Sequence, residues 1–181
     1  MLGPIIEGEK IRLEPTSPDY LPEFLRWFAD MKVTRYLLSR FPMTLKQEEE
    51  WFENASKDRN SVHWTMTVDG KPVGVTGLNR IDWISRSAIS GTIIGVPDAW
   101  GKGYATEAVS LRTRFAFEEM NLERLESQSM APNVGMHRAL ERAGYQRVGI
   151  HRRYMFREGE WIDSVLFELL RSDWTARGTK T

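Results

Sequence analysis

The stretch GVPDAWGKGYATEA, residues 95–108, carries two glycines on either side of one lysine, between an apolar run and a predicted helix. Glycines this close together let the backbone turn sharply or approach another molecule closely. The apolar run ends at Val96, and Ala105 begins a pattern of apolar residues at helical spacing. A strand, a glycine-rich turn and a helix N-terminus together predict an anion site, because free N–H groups and the helix dipole both favour phosphate.

The spacing of these glycines excludes two common phosphate-binding loops. A Walker loop has the pattern G-x-x-x-x-G-K-[ST], but one residue too many separates Gly95 from Gly101, and Gly103 replaces the hydroxyl residue. A dinucleotide-binding loop has the pattern G-x-G-x-x-G, and Thr106 stands where a third glycine or an alanine is needed. A tight turn that binds nothing is the structural alternative for both glycines.

Outside this stretch, apolar periodicity predicts elements in the order β-α-α-β-β-β-α-β-α-β-β. Helices are expected after Ser17, Thr44, the glycine loop and Asn133, the last of them ending at Gly144. This irregular order indicates an α/β sandwich (a mixed sheet with helices) rather than a regular alternation of parallel strands. The predicted strands are 10–15, 62–68, 73–81, 89–96, 124–130, 146–156 and 161–170.

Turn residues refine this expectation. Asp69-Gly70 and Glu158-Gly159 predict tight hairpins between neighbouring strands. Gly91 and Gly95, inside the predicted strand 89–96, predict a bulge or a close approach of the backbone to another group.

The composition is that of one globular domain. The chain has 181 residues, of which 41% are hydrophobic and 28% charged, and its formal net charge is zero. A neutral chain disfavours nucleic acid as a partner, and the sequence shows no membrane span and no secretory signal. The absence of cysteine excludes disulfides, thiolate metal sites and a cysteine nucleophile, and it fits a cytoplasmic protein. We expect a single domain over residues 1–174 and a fraying polar tail over 175–181.

Residues 98–105, DAWGKGYA, resemble the pyrophosphate-binding loop of the GNAT N-acetyltransferase superfamily, which has Q/R-x-x-G-x-G/A at this strand-to-helix junction. Asn133 followed by Gly144-Tyr145 is similar to the N-x-x-S…G-F segment of that family. The string WGKGYATEA and the closing hairpin at 159–163 resemble the RimJ/RimL-like branch, which contains ribosomal-protein and polyamine acetyltransferases. The resemblance extends from Ile11 to about Trp174.

The resemblance implies the GNAT fold and an enzyme that moves the acetyl group of acetyl-CoA to a primary amine by direct attack in a ternary complex. The pyrophosphate would lie on backbone N–H groups, the pantetheine arm would run along 92–96, and the strand that begins at Arg124 would splay away. A backbone N–H near Ile94–Gly95 would polarise the thioester carbonyl. The residues expected to bind acetyl-CoA are Ile94, Gly95, Val96, Trp100, Gly101, Lys102, Gly103, Tyr104, Ala105, Thr106, Asn133 and Arg138.

The proton donors that many relatives use are missing. Leu140 stands at the position of a tyrosine acid and Met136 at that of a serine. Gln128 occupies the position of a carboxylate base, and Glu126 shares its face of the strand. Glu126 is therefore the predicted general base, with an ion pair to Arg124 as its alternative role.

Three further groups have two interpretations each. Asp98 stands where relatives carry Gln or Arg, so Lys102 and Arg138 are candidate phosphate cations, with a solvated surface charge as the alternative. Asp82 and Trp83 are expected to line the acceptor pocket, although a structural pair in a loop also fits. The acidic run at 48–53 could attract a cationic amine, but a solvated helix face is the favoured interpretation.

The remaining expectations concern metal, partners and the class of protein. His63, His137 and His151 are scattered, so no metal site is predicted. The acceptor is left open between a protein N-terminus or peptide and a small-molecule amine, and the branch makes a homodimer possible. Because Met136 and Leu140 replace the usual acids, a catalytically silent acyl-CoA-binding sensor or scaffold is the alternative function.

Overall fold

Eight strands form one mixed sheet in the computed structural model, which describes residues 1–178. The strand order is β1-β2-β3-β4-β5-β6-β8-β7, and β5–β6 is the parallel pair among antiparallel neighbours. The strands are β1 Ile6–Glu7, β2 Arg12–Pro15, β3 Val62–Val68, β4 Lys71–Asp82, β5 Ser87–Ile94, β6 Arg124–Met130, β7 Gln146–Arg157 and β8 Glu160–Leu170.

Helices cover both faces of this sheet. Side chains alternate between faces along a strand, so Val75 of β4, which packs against α1, and Leu78, in the larger core with α4, lie on opposite faces. Full burial of each large apolar side chain contributes about 1.5–3 kcal/mol to stability. The helices are α1 Leu21–Ala29, α2 Met31–Thr34, α3 Leu45–Lys57, α4 Tyr104–Glu118, α5 Val134–Ala143 and α6 Arg171–Gly178, with 3₁₀ turns at Pro18–Tyr20 and Pro97–Ala99.

The predicted helix ends are confirmed by their caps. The Thr44 hydroxyl accepts the N–H of Gln47, whose side chain accepts the Thr44 N–H in return, which is a capping box. The Asn133 side chain accepts the Met136 N–H at 3.3 Å and begins α5. Gly144 ends the same helix with φ 106°, a left-handed conformation that favours glycine.

Both predicted hairpin turns are also confirmed. Asp69 and Gly70 have φ 49° and 72°, and Glu158 and Gly159 have φ 50° and 83°. Two consecutive positive φ angles define the type I′ turn, whose twist matches that of the flanking strands.

Three elements are absent from the predicted order: β1, α2 and α6. The two-residue β1 pairs with β2 through Ile6 and Leu13 and is too short to give a periodic pattern. Helix α6 runs through the predicted domain end at 174, because Trp174 packs on Phe117 with ring centroids 5.5 Å apart. The expected fraying tail at 175–181 is thus helical as far as Gly178, and residues 179–181 lie outside the described range.

The two glycines predicted to mark an irregular strand differ in their surroundings. A Cβ at Gly95 would lie 2.0 Å from a Trp27 ring atom, so this position is a close approach. A Cβ at Gly91 would meet nothing within 4 Å. The register shift between β4 and β5 occurs near Asn79 and Asp82, so neither glycine marks a bulge, and the predicted close approach is confirmed at Gly95 only.

The parallel pair β5–β6 opens into a gap. Pairing extends from Ser87–Arg124 to Ser90–Ser127, while β5 continues to Ile94. The last pair is held by the Ser90 hydroxyl, which donates to the Glu126 carbonyl at 3.0 Å, and by the Ser127 hydroxyl, which donates to the Ser90 carbonyl at 3.2 Å. Beyond it, the backbone of β5 faces open space between the strands.

Candidate active site

A large cleft of about 750 Å³ lies at this gap, between the end of β5, the N-termini of α4 and α5, and residues 31–37. Most residues predicted to bind acetyl-CoA line it. Gly95, Val96 and Lys102 were predicted as well, but they do not line it. The predicted residues that line the large cleft are Ile94, Trp100, Gly101, Gly103, Tyr104, Ala105, Thr106, Asn133 and Arg138.

The glycine loop presents the N-terminus of α4 to the large cleft. Gly101 and Gly103 have φ 77° and 89°, and Gly103 is the N-cap residue, which provides no side-chain cap. The first N–H groups of a helix lack partners within the helix, so an anion can satisfy them. A Cβ at Gly101 would meet nothing within 4 Å, so the cleft side of the loop is open.

Four cationic side chains line the large cleft: Lys32, Arg35, Arg138 and Arg142. Arg35 is paired with Glu158 at 2.7 Å across the cleft wall, which leaves Lys32, Arg138 and Arg142 as the cations best placed for phosphate. Of these four, sequence analysis identified Arg138 alone; Arg142 lies one turn further along the same helix, α5, and Lys32 and Arg35 come from a segment that the motif does not include.

Lys10 is a further cation that the sequence did not reveal. Its Nζ lies 3.3 Å from the position that a Cβ on Gly103 would occupy. Glu107, in the first turn of α4, holds this region in place by accepting the backbone N–H groups of Glu9 and Lys10. Glu107 is part of the quoted motif, and its contacts show a structural role.

The backbone of β5 corrects one predicted oxyanion donor. The Gly95 N–H donates to the Val73 carbonyl at 2.9 Å, so it is already used in the ladder with β4. Hydrogen-bonded and non-bonded pairs alternate in an antiparallel ladder, so the N–H groups of Ile94 and Thr92 point away from β4 toward the gap. The Trp100 indole donates to the Ile94 carbonyl at 3.0 Å and fixes the orientation of that peptide.

A second cleft of about 240 Å³ has aromatic walls formed by Phe24, Phe28, Trp51 and Trp64. Thr92 and Ile93 line both this second cleft and the large cleft. The two clefts therefore adjoin at β5, where they share these two lining residues.

Glu48 is a buried carboxylate in the wall of the second cleft. The residue is 2% exposed, and within residues 1–178 its Oε1 has no hydrogen-bond partner. Burial raises the pKa of Glu48 above its ordinary value. The solvated face predicted for residues 48–53 is thus wrong at Glu48, although Glu49, Glu50 and Glu53 are exposed.

The helical spacing of α3 contains a signal for this burial. Glu48 precedes Trp51, Phe52 and Ala55 at intervals of three, four and seven residues, so it lies on the apolar stripe of the helix. A carboxylate on that stripe has to face the protein interior.

The three histidines have separate environments. His63 lines the second cleft 5.4 Å from the Trp51 ring, and burial lowers its pKa. His137 is buried, and its Nε2 lies 3.1 Å from the Met130 carbonyl. His151 is exposed and stacks on Tyr154. In the described part of the chain, no three His, Cys, Asp or Glu residues form a potential metal site, and independence from metal stays a prediction.

The predicted general base does not reach either cleft. Glu126 pairs with Arg124 at 2.7 Å, and its side chain is 43% exposed. It lies on the part of β6 that still pairs with β5, before the strands separate, and it lines neither cleft. This geometry matches the ion pair that the sequence left as the alternative.

Asp82 is the last residue of β4 and Trp83 begins the turn to β5, and neither residue lines a cleft. The Asp82 carboxylate accepts the N–H groups of Ile84 and Ser85 at 2.9 Å and the Ser85 hydroxyl at 2.7 Å. These bonds, those from Ser85 above all, lower the pKa of Asp82. The Trp83 indole donates to the Arg59 carbonyl at 3.2 Å, so the structural interpretation of this pair fits the contacts.

Arg112 is a buried cation beneath β5 that sequence analysis missed. Its Nη1 donates to the Thr76 and Thr92 hydroxyls at 2.7 and 2.8 Å and to the Gly91 carbonyl at 2.8 Å. Burial lowers the pKa of this guanidinium. Its apolar neighbours in α4 hid it, since a lone arginine in a helix is usually a surface residue.

The comparisons with known proteins agree with this geometry. The acetyltransferase (GNAT) domain family matches residues 10–146. The probable N-acetyltransferase YjcK of Bacillus subtilis is 34% identical over 169 residues, which cover 91% of this chain and 88% of YjcK. The [ribosomal protein uS5]-alanine N-acetyltransferase of Escherichia coli is 26% identical over 104 residues, covering 56% of this chain and 54% of that protein.

A solved structure shares the fold at lower identity. The spermidine N-acetyltransferase of Vibrio cholerae, in complex with CoA and spermine, superposes with a TM-score of 0.86 at 19% identity and covers 93% of this chain and 99% of its own. None of the helices in residues 1–178 combines the length and the hydropathy that a membrane-spanning helix requires. Family match and fold lead to the same conclusion: the chain belongs to the GNAT family and is an N-acetyltransferase.

Proposed function

We propose that the protein binds acetyl-CoA in the large cleft and transfers its acetyl group to a primary aliphatic amine held in the second cleft. The observation that carries this proposal is the meeting of the two clefts at Thr92 and Ile93, where β5 and β6 separate. An amine in one cleft and a thioester in the other would then meet at the end of β5, where this strand separates from β6.

The large cleft has the features that acetyl-CoA requires. Its volume of about 750 Å³ falls within the usual range of ligand sites. The uncapped N-terminus of α4 would bind the pyrophosphate, with Arg138 and Arg142 as cationic partners. Lys102, which was predicted as a phosphate cation, lies outside the lining. The pantetheine arm would pair with the free backbone edge of β5.

Transition-state stabilisation would come from the Ile94 N–H, which the ladder turns toward the gap. A donor in that position stabilises the oxyanion that forms when an amine adds to the thioester carbonyl. Met136 lines the large cleft and Leu140 is fully buried, so neither provides a proton for the leaving thiolate. Orientation of the two reactants would therefore supply much of the rate acceleration.

The relatives guide the choice of acceptor. The E. coli relative acts on an alanine of a ribosomal protein, and the V. cholerae structure contains spermine. Both names support an amine on a peptide or a small molecule as the acceptor here. A homodimer, a cytoplasmic location and independence from metal complete the proposal and rest on the sequence alone.

The test is an assay of thiol release from acetyl-CoA with a panel of primary amines, combined with calorimetric titration of acetyl-CoA. We expect binding and amine-dependent thiol release. Binding without release by any amine would instead favour the acyl-CoA-binding scaffold, which the missing acids at Met136 and Leu140 had kept open.

A further inference from the structure

The buried carboxylate of Glu48 lacks the cation or hydrogen-bond donors that would stabilise its charge. A buried carboxylate is strongly disfavoured unless a cation or hydrogen-bond donors accompany it. Within residues 1–178, Glu48 forms no ion pair, and its buried Oε1 has no donor. Glu50 and Glu53 of the same helix instead pair with lysines at the surface.

Among residues 1–178, no lysine or arginine lines the second cleft that could pair with Glu48. His63 is the other titratable residue in its lining, and burial lowers the His63 pKa and so favours the neutral ring. Arg112 approaches β5 from α4, but its Nη1 is committed to Thr76, Gly91 and Thr92. A bound cationic molecule would supply the missing positive charge, and without one burial favours the neutral carboxylic acid.

The size and the walls of the second cleft limit that molecule. About 240 Å³ is below the roughly 300–1,000 Å³ of sites for drug-sized ligands, so the cleft accepts one short arm rather than a whole large substrate. Phe24, Trp51 and Trp64 provide apolar faces for methylene groups, and aromatic rings also attract cations. These features fit an alkylammonium group on a short unbranched chain.

We propose, on the basis of the function proposed above, that Glu48 recognises the ammonium group of an aliphatic acceptor amine in the second cleft and takes its proton. The carboxylate accepts a proton from R–NH₃⁺, which leaves R–NH₂ and a neutral carboxylic acid. The amine nitrogen then bonds to the thioester carbonyl carbon while the C–S bond breaks. The second proton of the nitrogen passes to the departing thiolate, so the products are the acetamide and the free thiol of CoA.

The surroundings suit this proton transfer. A free alkylamine is mostly protonated at neutral pH, since the reference pKa of a lysine amine is about 10.4. Burial raises the pKa of Glu48, which brings the carboxylate closer to the neutral range where a general base works best. Glu126, exposed and paired with Arg124, has no comparable environment.

The experiment compares Glu48→Gln with Glu49→Gln, an exposed neighbour on the same helix. Both variants and the wild type are assayed for thiol release with propylamine and with aniline, whose nitrogen is already unprotonated at neutral pH. We expect Glu48→Gln to lower kcat/KM for propylamine by about 10²–10⁴-fold and to lower that for aniline much less. Acetyl-CoA affinity by calorimetry is expected to stay within about twofold for both variants, and Glu49→Gln to behave like the wild type.

Other outcomes separate this inference from the function on which it rests. Equal losses with propylamine and aniline, or normal turnover of propylamine by a folded Glu48→Gln protein, would overturn the role of Glu48 alone. A wild type that binds acetyl-CoA but neither acetylates propylamine nor binds propylammonium would also overturn it. A wild type that binds no acetyl-CoA would overturn the proposed function itself. If Glu48→Gln unfolds, propylammonium titration of the CoA-loaded wild type between pH 5 and 8 decides: binding that weakens as the pH falls supports the proposal, and pH-independent binding contradicts it.

Discussion

The two clefts that meet at β5 are built in different ways. The large cleft uses backbone: two glycines with positive φ, the N–H groups at the start of α4 and the free edge of β5. The second cleft uses side chains from α1, α3 and β3, namely aromatic rings and one buried carboxylate. Backbone recognition requires a local sequence pattern, whereas side-chain recognition requires residues that are distant in sequence. The cleft that we propose for the cofactor was therefore visible in the sequence, and the cleft that we propose for the acceptor was not.

The strongest test of this comparison sets Glu48 against Glu126. If the acceptor side works through a buried carboxylate, Glu48→Gln should lower turnover of an alkylamine by about 10²–10⁴-fold, and Glu126→Gln by less than about threefold. Exposed ion pairs such as Arg124–Glu126 contribute about 0–1 kcal/mol to stability, so the second variant should also stay folded. Steady-state kinetics at saturating acetyl-CoA measures both. A large loss of turnover in Glu126→Gln, with normal turnover in Glu48→Gln, would instead identify Glu126 on β6 as the general base.

The second test substitutes Gly103, in the glycine loop of the large cleft. Valine there would adopt a strained φ of 89° and place its side chain beside Lys10 at the start of α4. We expect acetyl-CoA affinity to fall by about 100-fold, which corresponds to about 2.8 kcal/mol. Gly70→Val is the matched control, because Gly70 has φ 72° in a hairpin that is not part of either cleft. Calorimetry should find normal affinity in the folded control, and normal affinity in Gly103→Val would contradict the position of the pyrophosphate.

The buried carboxylate should also appear in the pH dependence of stability. Burial raises the pKa of Glu48 in the folded state. The contribution of Glu48 to the free energy of unfolding is therefore fully present below its unfolded-state pKa of about 4.3, and it is lost as the pH rises through the folded-state pKa. Glu48→Gln should therefore gain stability relative to the wild type as the pH rises from about 4 to 7. Thermal unfolding of both proteins at each pH measures the difference, in which shared effects of His63 and Arg112 largely cancel. A difference that does not change with pH would mean that Glu48 is well solvated.

The smallest expected effect concerns the cations near the glycine loop. Lys10 is exposed and does not line the large cleft, but its Nζ lies 3.3 Å from the position of a Cβ on Gly103, at the start of α4. A contact of this exposed lysine with a bound phosphate would contribute about 0.2–1 kcal/mol, so Lys10→Ala should weaken acetyl-CoA binding up to about fivefold. Lys102→Ala should have no effect, because Lys102 does not line the large cleft. Titrations at about 0.05 and 0.5 M salt should show the Lys10 effect decreasing as screening increases. A larger loss from Lys102→Ala would restore the predicted role of that residue.

Much of the fold follows from local patterns. The start of α3 was predicted from Thr44, and both ends of α5 were predicted from Asn133 and Gly144, since capping depends on residues within one turn of the helix. The type I′ turns at 69–70 and 158–159 follow from glycine in the same way. The short β1 and helix α6 were missed, because their stability comes from distant partners such as Leu13 and Phe117.

The candidate site shows the same difference between features set by local sequence and features set by distant partners. The sequence by itself determined the glycine loop at 98–105, for which we propose anion binding, because glycine conformation and helix N–H groups are properties of a single contiguous segment. Only the tertiary structure decided which charged side chains face the reaction. It placed Glu126 in an exposed ion pair and buried Glu48 and Arg112, since burial depends on the elements that pack above a residue. A carboxylate becomes chemically distinctive through desolvation, and desolvation is a property of the assembled fold.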